Sequence, residues 1–233
     1  MKKNRYIALI PARKGSKGIK NKNLLKIKKI SLVEMAIEKA RASKRIDEIY
    51  LSSDSRKILE KALKYPKVKM HLRNKKFASD EASSKDVIRD FIKKFSLDRM
   101  KNLSLVYLQP SSPFKGLHHV DRAIEVFEKL KKNTLVSCYE PTEDIKEKLF
   151  KSLILSKNKN IKPLYQKNTL QTNRQKLGKI FIPNGAIYIF RITNNFLKTY
   201  INFKSSISYI MGENEVIDIN NKKDYEKAKK LIK

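Results

Sequence analysis

The chain has 233 residues, of which 40% are apolar, a length that is long for one domain and short for two. No apolar run approaches the roughly 20 residues of a membrane span, and the single cysteine, Cys138, excludes an intramolecular disulfide and suits a reducing cytoplasm. The net charge of +31 comes mostly from lysines dispersed along the chain, whereas a dedicated nucleic-acid reader concentrates arginine and aromatic residues on one element. We therefore expect a cytoplasmic protein with neither a membrane segment nor a dedicated nucleic-acid surface, whose charge attracts anionic ligands.

The first 138 residues alternate short apolar runs with amphipathic segments, which is typical of an α/β sheet with crossover helices. The predicted strands are Tyr6–Ile10, Ile49–Ser52, Val68–Leu72, Leu103–Leu108 and Leu135–Cys138. One helix is predicted after a capping box of Ser31 with Glu34. Two further helices are predicted at Ser55–Leu63 and Ser84–Phe95, and a fourth is predicted to bury Val120, Ala123, Ile124 and Phe127.

The pattern changes after this point. Residues 140–182 are polar and interrupted by prolines, and we expect them to be irregular. Regular order is predicted to resume with Ala186–Phe190, Tyr209–Met211 and Val216–Ile219, followed by a final helix from about Lys222. His71, His118 and His119 fit no metal-ligand spacing, and the adjacent pair is predicted to begin a solvated helix. With no repeat and no linker, one Rossmann-like body with an inserted subdomain fits best.

The segment Ile7–Asn23 is the most informative part of the chain, because an apolar strand there runs into a basic loop. Gly15 and Gly18 are expected to adopt backbone angles closed to other residues, so that backbone N–H groups can surround an anion. The cationic residues of the loop suit a polyphosphate; they are Arg13, Lys14, Lys17 and Lys22. The loop is not a P-loop, since no Gly-Lys-Ser/Thr opens a helix. A solvated basic loop is the simpler alternative.

Ligands of such sheets bind beyond the carboxyl ends of the strands. We therefore expect the basic loop, the Gln109-Pro-Ser-Ser turn and Asp218 to meet at one edge of the sheet.

Six separated motifs occur in an order that resembles the CMP-sialic acid synthetases, the cytidylyltransferases that activate N-acylneuraminic acids and their nine-carbon relatives. The resemblance covers nearly the whole chain. The motifs are Pro11–Gly18 with Lys22-Asn23, Leu72-Arg73 with Ala78–Ser84, Leu108–Pro113, Asn173–Leu177, Pro183–Tyr188 and Ile217–Asn220. The resemblance implies a Rossmann-like α/β nucleotidyltransferase sheet, with residues 1–233 forming a single domain. It also implies that residues 140–182 form an inserted dimerisation and substrate subdomain.

The resemblance implies a reaction in which the anomeric hydroxyl of a sialic acid-type sugar attacks the α-phosphorus of CTP and pyrophosphate leaves. Such a step needs positioning and charge neutralisation more than a protein nucleophile. The implied cofactor is Mg²⁺, which would bridge phosphate oxygens.

Residue roles are carried over motif by motif. The catalytic residues implied are Arg13, Lys22 and Asp218. The nucleotide-binding residues implied are Ala12, Arg13, Lys17, Lys22, Asn23, Arg73, Ala82, Ser83 and Ser84. Simpler roles stay open for two of them: Arg73 as a surface cation at a strand end, and a serine at 83 or 84 as a helix cap.

The acidic nine-carbon sugar is implied to contact Gln109, Ser111, Arg174, Asn184 and Tyr188. Tyr188 could equally be a core aromatic residue of its strand. Arg174 matches an arginine that reaches the neighbouring subunit's site, which implies a homodimer. Lys146 matches a sugar-side lysine only loosely, and a surface position is the simpler interpretation.

Two departures from the family pattern affect the expected metal and sugar sites. The implied metal ligands are Asp218 and Asn220, where the family commonly has two aspartates; alternation along a strand would put both side chains on one face. Asn220 could instead begin the turn into the last helix. Ile182 stands where the family usually has an arginine, which removes a possible contact to a carboxylate or a phosphate.

Two alternatives to a sialic acid-type cytidylyltransferase remain. The first is a cytidylyltransferase for legionaminic, pseudaminic or another ulosonic acid. The second is a non-catalytic nucleotide- or RNA-binding protein, for which RNA affinity would depend steeply on salt without turnover of CTP.

Overall fold

The computed structural model describes residues 4–16, 18–79, 81–155, 160–164, 178–193, 196 and 206–231. Its strands are β1 Arg5–Pro11, β2 Lys26–Ile27, β3 Ile30–Ser31, β4 Glu48–Ser53, β5 Val68–Leu72, β6 Leu103–Leu108, β7 Thr134–Tyr139, β8 Leu153–Leu155, β9 Ile161–Pro163, β10 Ile182–Ile192 and β11 Ser206–Ile210. Its α-helices are α1 Leu32–Ala42, α2 Arg56–Leu59, α3 Ser84–Lys94, α4 His119–Leu130, α5 Glu143–Phe150 and α6 Lys222–Leu231. Among the described helices, none combines the length and apolar composition needed to span a membrane.

Seven strands form the central sheet in the order β11-β7-β10-β6-β1-β4-β5. The neighbours pair in parallel except β10, which is antiparallel to both β6 and β7. The beginning of β10 therefore lies at the same edge as the carboxyl ends of the other strands. This α/β sheet confirms the predicted fold class.

The sheet is buried on both faces, because successive side chains of β1 enter different apolar layers. Ala8 and Ile10 pack in a layer with residues of α1 and α4. Ile7 and Leu9 pack in the opposite layer with residues of α3. The continuous apolar run of β1 is thus explained by burial on two sides.

The first five predicted sheet strands are confirmed: two match in both bounds, and the other three are one residue longer at each end. The predicted helix Ser84–Phe95 is confirmed as α3, which ends one residue earlier. The capping box of Ser31 and Glu34 begins α1, and the predicted apolar face of α4 is fully buried. The predicted helix Ser55–Leu63 is only partly correct. It is α-helical over Arg56–Leu59 and continues as a 3-10 helix over Glu60–Lys64.

Three predictions for the second half were wrong. Residues 140–182 are not irregular throughout, because they contain α5, which is stabilised by i,i+4 pairs such as Asp144–Lys148, and the β8–β9 hairpin. Val216–Ile219 is not a strand; it follows a 3-10 helix at Glu213–Glu215 and runs without regular structure towards α6. His119 begins α4 as predicted but is 4% exposed, so it is not solvated.

Candidate functional site

Two cavities open side by side at the carboxyl edge of the sheet. The first, of 480 Å³, lies among the basic loop, the end of β5 and the start of α3. The second, of 360 Å³, lies among the beginning of β10, Tyr139 at the end of β7 and Val216. Gln109, directly after β6, lines both cavities. The two spaces therefore adjoin at this side chain, as expected for a site that holds two reactants.

Arg13, Lys22 and Asn23 of the basic loop line the first cavity. The amide of Asn23 donates to the carbonyl of Arg13 at 2.9 Å, and the side chain of Asn23 is buried. The backbone N–H of Lys14 donates to Asp54 at 2.8 Å, which fastens the loop to the end of β4. The loop is thus anchored to the sheet, but Lys14 and Gly15 are exposed, so the alternative of a solvated basic loop stays open.

Gly18 is needed for close packing and not for special backbone angles. A Cβ atom on Gly18 would lie 1.8 Å from the carbonyl oxygen of Asn220, whereas a Cβ atom on Gly15 would meet nothing within 4 Å. Among the described glycines, only Gly185 has a positive φ. The predicted reason for both loop glycines was therefore wrong, and Gly18 lets the loop touch the segment that carries Asp218.

One predicted nucleotide-side residue, Ala12, does not add a side chain to this cavity. Ala12 is completely buried, and its backbone N–H donates to Ser52 at 2.8 Å, continuing the sheet. Lys17 lies outside the described residues, and so does Arg174 of the implied subunit contact. Their roles stay predictions.

Arg73 is the most deeply buried cation of the first cavity, with 4% of its surface exposed. Its guanidinium donates to the Ser52 hydroxyl at 3.2 Å, the Ser52 carbonyl at 3.0 Å and the Phe77 carbonyl at 3.4 Å. Burial lowers the pKa of Arg73, an effect opposed by nearby Tyr107 and Asp54. The surface-cation alternative is wrong, because the structure fixes this side chain in the cavity wall.

The loop before α3 contains residues that line the first cavity and a residue that caps the helix. Ala82 and Ser84 line the first cavity. Ser83 instead accepts from the N–H of Asp86 at 3.2 Å and donates to its carboxylate at 2.6 Å, which forms a capping box. The structure thus assigns Ser83 the capping role that had been left open.

Two residues of this region were missed by sequence reasoning. Tyr107 of β6 lines the first cavity and has its pKa raised by burial. Lys115 is 1% exposed, and its ammonium donates to the carbonyls of Gln109 at 2.8 Å and Ser112 at 2.7 Å. Burial lowers the pKa of Lys115 to about 7. A lysine two residues after Pro113 looked like another surface charge, so only its position beneath the turn shows that it holds Gln109.

The second cavity has mixed walls of amide, aromatic and apolar groups. Asn184 lines it, but its side-chain oxygen accepts from Ser137 at 2.5 Å and from the backbone of Ala186 at 3.0 Å. Asn184 therefore stabilises an irregular stretch of β10, where the register shifts and Gly185 has φ +70°. Tyr188 is half-buried, lines the cavity and packs against Tyr107 at 6.3 Å between ring centres. Tyr188 therefore packs in the core and also faces the second cavity, and its contact with the sugar stays a prediction.

Asp218 and Asn220 lie where the two cavities meet. Asp218 lines the second cavity and Asn220 the first. The Asn220 amide donates to Asp218 at 2.8 Å, and Lys22 donates to the Ile219 carbonyl at 2.8 Å. The side chains adjoin, although the strand that was predicted to align them is absent from Val216–Ile219. Burial lowers the pKa of Lys22, while Asp218 opposes that shift.

The donor set fits a divalent cation. One carboxylate oxygen of Asp218, Oδ1, is buried without a hydrogen-bond partner among the described residues. Such an oxygen is costly unless a donor or a cation meets it. Carboxylate and amide oxygens are ligands that Mg²⁺ accepts.

The other predicted contacts are distributed as follows. Ser111 lines the first cavity, and its carbonyl accepts from the N–H of Ile219 at 2.8 Å, which links the turn to the Asp218 segment. Lys146 is buried in α5 against Glu143, at 3.2 Å, and is not among the described residues lining either cavity.

A parallel-dominated α/β sheet, a basic loop at its carboxyl edge and an adjoining second cavity are the features expected of a nucleotidyltransferase. A family model described as Cytidylyltransferase matches residues 7–231. The chain belongs to the cytidylyltransferase family, as its resemblance to the CMP-sialic acid synthetases implied, and it is an enzyme. The alternative of a non-catalytic binding protein is thereby removed.

Relatives with known names agree with this assignment. The chain is 30% identical to an N-acylneuraminate cytidylyltransferase of Escherichia coli over 97% of its own length and 52% of the relative's. It is 29% identical to a pseudaminic acid cytidylyltransferase of Campylobacter jejuni, over 97% and 96% of the two chains. The chain therefore spans about half the first relative and nearly all of the second.

The fold also matches a solved structure. A CMP:2-keto-3-deoxy-manno-octonic acid synthetase complexed with CTP superposes with a TM-score of 0.71 at 15% identity, covering 98% of both chains. At this identity the match concerns the fold.

Proposed function

We propose that this enzyme transfers a cytidylyl group from CTP to an acidic nine-carbon sugar of the sialic acid type. The observation that carries the proposal is the position of Gln109, which lines both cavities, with Asp218 and Asn220 at the same junction. A nucleotide in the first cavity and a sugar in the second would present their reacting atoms to each other there. The family assignment supplies the reaction class, and the sugar is the finer part of the proposal.

The anomeric oxygen of the sugar forms a bond to the α-phosphorus, and the bond from that phosphorus to the oxygen bridging to the β-phosphorus breaks. Pyrophosphate leaves with the electron pair, and the hydroxyl proton passes to solvent. Arg13 and Lys22 stabilise negative charge on the phosphates, and Gln109 orients the sugar. We propose that Asp218 and Asn220 hold Mg²⁺, which when bound neutralises phosphate charge.

A second candidate substrate is favoured by the walls of the second cavity. Ile182, Val216 and Tyr139 line it, and Ile182 replaces the arginine of the family pattern. Apolar walls suit a less hydroxylated acid, since unpaired hydroxyls are costly to desolvate. A deoxygenated nine-carbon acid such as pseudaminic or legionaminic acid is therefore the second candidate.

Release of pyrophosphate tests both levels of the proposal. The enzyme is incubated with Mg²⁺, each of four nucleoside triphosphates and a panel of sialic, pseudaminic, legionaminic and shorter ulosonic acids. We expect fast release only with CTP and a nine-carbon acid. Equal turnover of all four nucleotides would overturn the cytidylyl assignment, and turnover confined to a shorter acid would overturn the sugar class.

We also propose that the enzyme is a cytoplasmic homodimer in which the β8–β9 hairpin lies in the interface. Five apolar side chains of this small region are largely exposed in the single chain: Leu153, Ile154, Leu155, Ile161 and Leu164. Exposed apolar clusters of this kind mark interaction surfaces. Light scattering should report a dimer, and Leu155→Asp with Ile161→Asp should convert it to a monomer; a wild-type monomer with full activity would contradict the proposal.

The implied role of Arg174 can be tested in the same dimer. Mixing an Arg174→Ala subunit with an Arg13→Ala subunit should restore part of the activity, because one composite site in the mixed dimer is intact. No recovery in verified mixed dimers would show that the site belongs to one chain.

A further inference from the structure

His118, His119 and Glu215 form a compact cluster that the proposed reaction does not use. The two histidines stand where α4 begins, and Glu215 lies in the 3-10 helix Glu213–Glu215. One nitrogen or carboxylate oxygen from each residue falls within 4.8 Å of the others. None of the three is among the described residues that line the two cavities.

His119 provides the most direct sign of a ligand. Its Nδ1 lies 2.7 Å from the hydroxyl of Tyr209. Its buried Nε2 lies 2.8 Å from Oε1 of Glu215, which is its one polar neighbour among the described residues. Buried ring nitrogens are ordinarily paired, and an imidazole nitrogen is also a metal ligand.

The atoms around this nitrogen resemble the outer contacts of a metal centre. A ligating histidine usually has its other ring nitrogen fixed by a hydrogen bond, and a ligating carboxylate is itself hydrogen-bonded. Here Tyr209 fixes Nδ1 of His119, and Oε2 of Glu215 accepts from the backbone N–H of Gly212 at 3.0 Å. These bonds leave Nε2 of His119 and Oε1 of Glu215 facing each other.

Gly116 makes room for the second imidazole. The rings of His118 and His119 lie 4.2 Å apart between centres, and a Cβ atom on Gly116 would lie 2.8 Å from Cε1 of His118. His118 is exposed, so its ring can adjust towards an ion and the site is open to water.

We propose that His118, His119 and Glu215 bind a zinc-like divalent ion, with water completing a tetrahedral shell. Two imidazoles and one carboxylate suit Zn²⁺, whereas Mg²⁺ prefers oxygen ligands. The ion joins the start of α4 to the segment that leads, three residues later, to Asp218. Its role is structural, and a simple polar pair of His119 and Glu215 is the alternative.

Zinc binding to the full chain tests the proposal. Untagged, chelator-stripped protein is titrated with Zn²⁺ by calorimetry, with thermal unfolding and the visible spectrum of the Co²⁺ form as second readouts. We expect one saturable equivalent, a higher melting temperature with zinc, and a tetrahedral Co²⁺ spectrum. His118→Ala and Glu215→Gln, at positions that are not fully buried, should each weaken binding at least about tenfold.

Controls separate this site from other metal-binding groups. Asp218→Asn and Cys138→Ala should bind zinc as the wild type does, and Tyr209→Phe should bind about tenfold more weakly because Nδ1 loses its partner. Melting of His118→Ala without metal verifies that this variant folds. Absence of a zinc equivalent in the wild type, unchanged binding in His118→Ala, or loss of binding in Asp218→Asn or Cys138→Ala would overturn the proposal.

Discussion

The two cavities at the sheet edge differ in how their walls are built. The walls of the first contain three cations, Arg13, Lys22 and Arg73, together with Asn23. Among the described residues, the walls of the second contain one carboxylate, Asp218, with amide, tyrosine and aliphatic groups. A triphosphate suits the first and a sugar with polar and apolar faces suits the second.

This difference indicates how each cavity selects its ligand. In the first cavity the cations are fixed by carbonyls, as Arg73 is by Ser52 and Lys22 by Ile219. Fixed cations need little reorganisation when phosphate charge develops. In the second cavity Asn184 uses its oxygen internally, so shape is expected to contribute more than charge.

Asp218→Asn should have the largest effect, because it removes the only carboxylate at the junction of the cavities among their described lining residues. We expect turnover to fall at least about a hundredfold. Mutation of a residue that only contacts a metal ligand typically costs about 10- to 100-fold, and loss of a ligand itself should cost more. Steady-state rates at saturating CTP and Mg²⁺ measure the loss. A variant with more than a third or so of wild-type activity would show that no essential charge resides there.

Asn220→Asp is the matched opposite change, since it adds a carboxylate beside Asp218. We expect a lower Mg²⁺ concentration for half-maximal activity, because hard cations prefer anionic oxygen. A Mg²⁺ titration at fixed CTP gives the midpoint. An unchanged midpoint would place Asn220 outside the metal's influence and assign it only to the turn before α6.

Gly18→Ala compared with Gly15→Ala tests the packing between loop and junction. The added methyl of Gly18→Ala would overlap the Asn220 carbonyl, with 1.8 Å between atoms, so the backbone must move, while Gly15→Ala meets open space. We expect turnover with CTP to fall more than about tenfold in the first variant. A tenfold loss corresponds to an activation barrier that is about 1.4 kcal/mol higher. It should stay near wild type in the second, and equal behaviour of the two would refute the packing argument.

Arg13→Ala and Lys22→Ala should each reduce turnover at least about tenfold without unfolding the protein. One charge-assisted contact contributes roughly 1.5–3 kcal/mol, which is enough for that loss. Thermal melting is the control for folding. Near-normal rates in both variants would mean that these cations are not needed for the reaction.

Lys115→Met should change the pH dependence of stability. The pKa of Lys115 falls from its ordinary 10.5 to about 7 in the folded protein, so between these values the unfolded chain binds a proton that the folded one lacks. The free energy of unfolding therefore rises with pH in this window, by up to about 1.4 kcal/mol per unit. The free energy of unfolding of the wild type minus that of Lys115→Met should therefore increase from about pH 7 to pH 9. A difference that stays constant or falls over this range would contradict a buried lysine with a lowered pKa.

Much of the first half could be predicted because local signals and tertiary packing agree there. The run Leu103–Leu108 matches β6 in both bounds, since an apolar strand between two covered faces has no competing arrangement. The Ser31 capping box marked the start of α1 for a similarly local reason.

The rest depends on contacts between distant residues. Val216–Ile219 is rich in β-branched residues, but it has no strand partner among the described residues. The backbone N–H of Ile219 instead donates to Ser111, and the Ile219 carbonyl accepts from Lys22. His119 is buried because it meets Tyr209 of β11, 90 residues away. For the site, the loop cations were visible in the sequence, whereas the buried Lys115 and the choice of Ser83 over Ser84 as the helix cap required the fold.

The central claim, that separate cavities hold the nucleotide and the sugar, is tested most directly by KM values for both substrates in two variants. Arg13→Ala should raise the KM for CTP while leaving that for the sugar nearly unchanged. Tyr188→Ala should do the reverse, because this side chain lines only the second cavity among the described linings. If both variants raised the two KM values equally, the division of the site into two cavities would be contradicted.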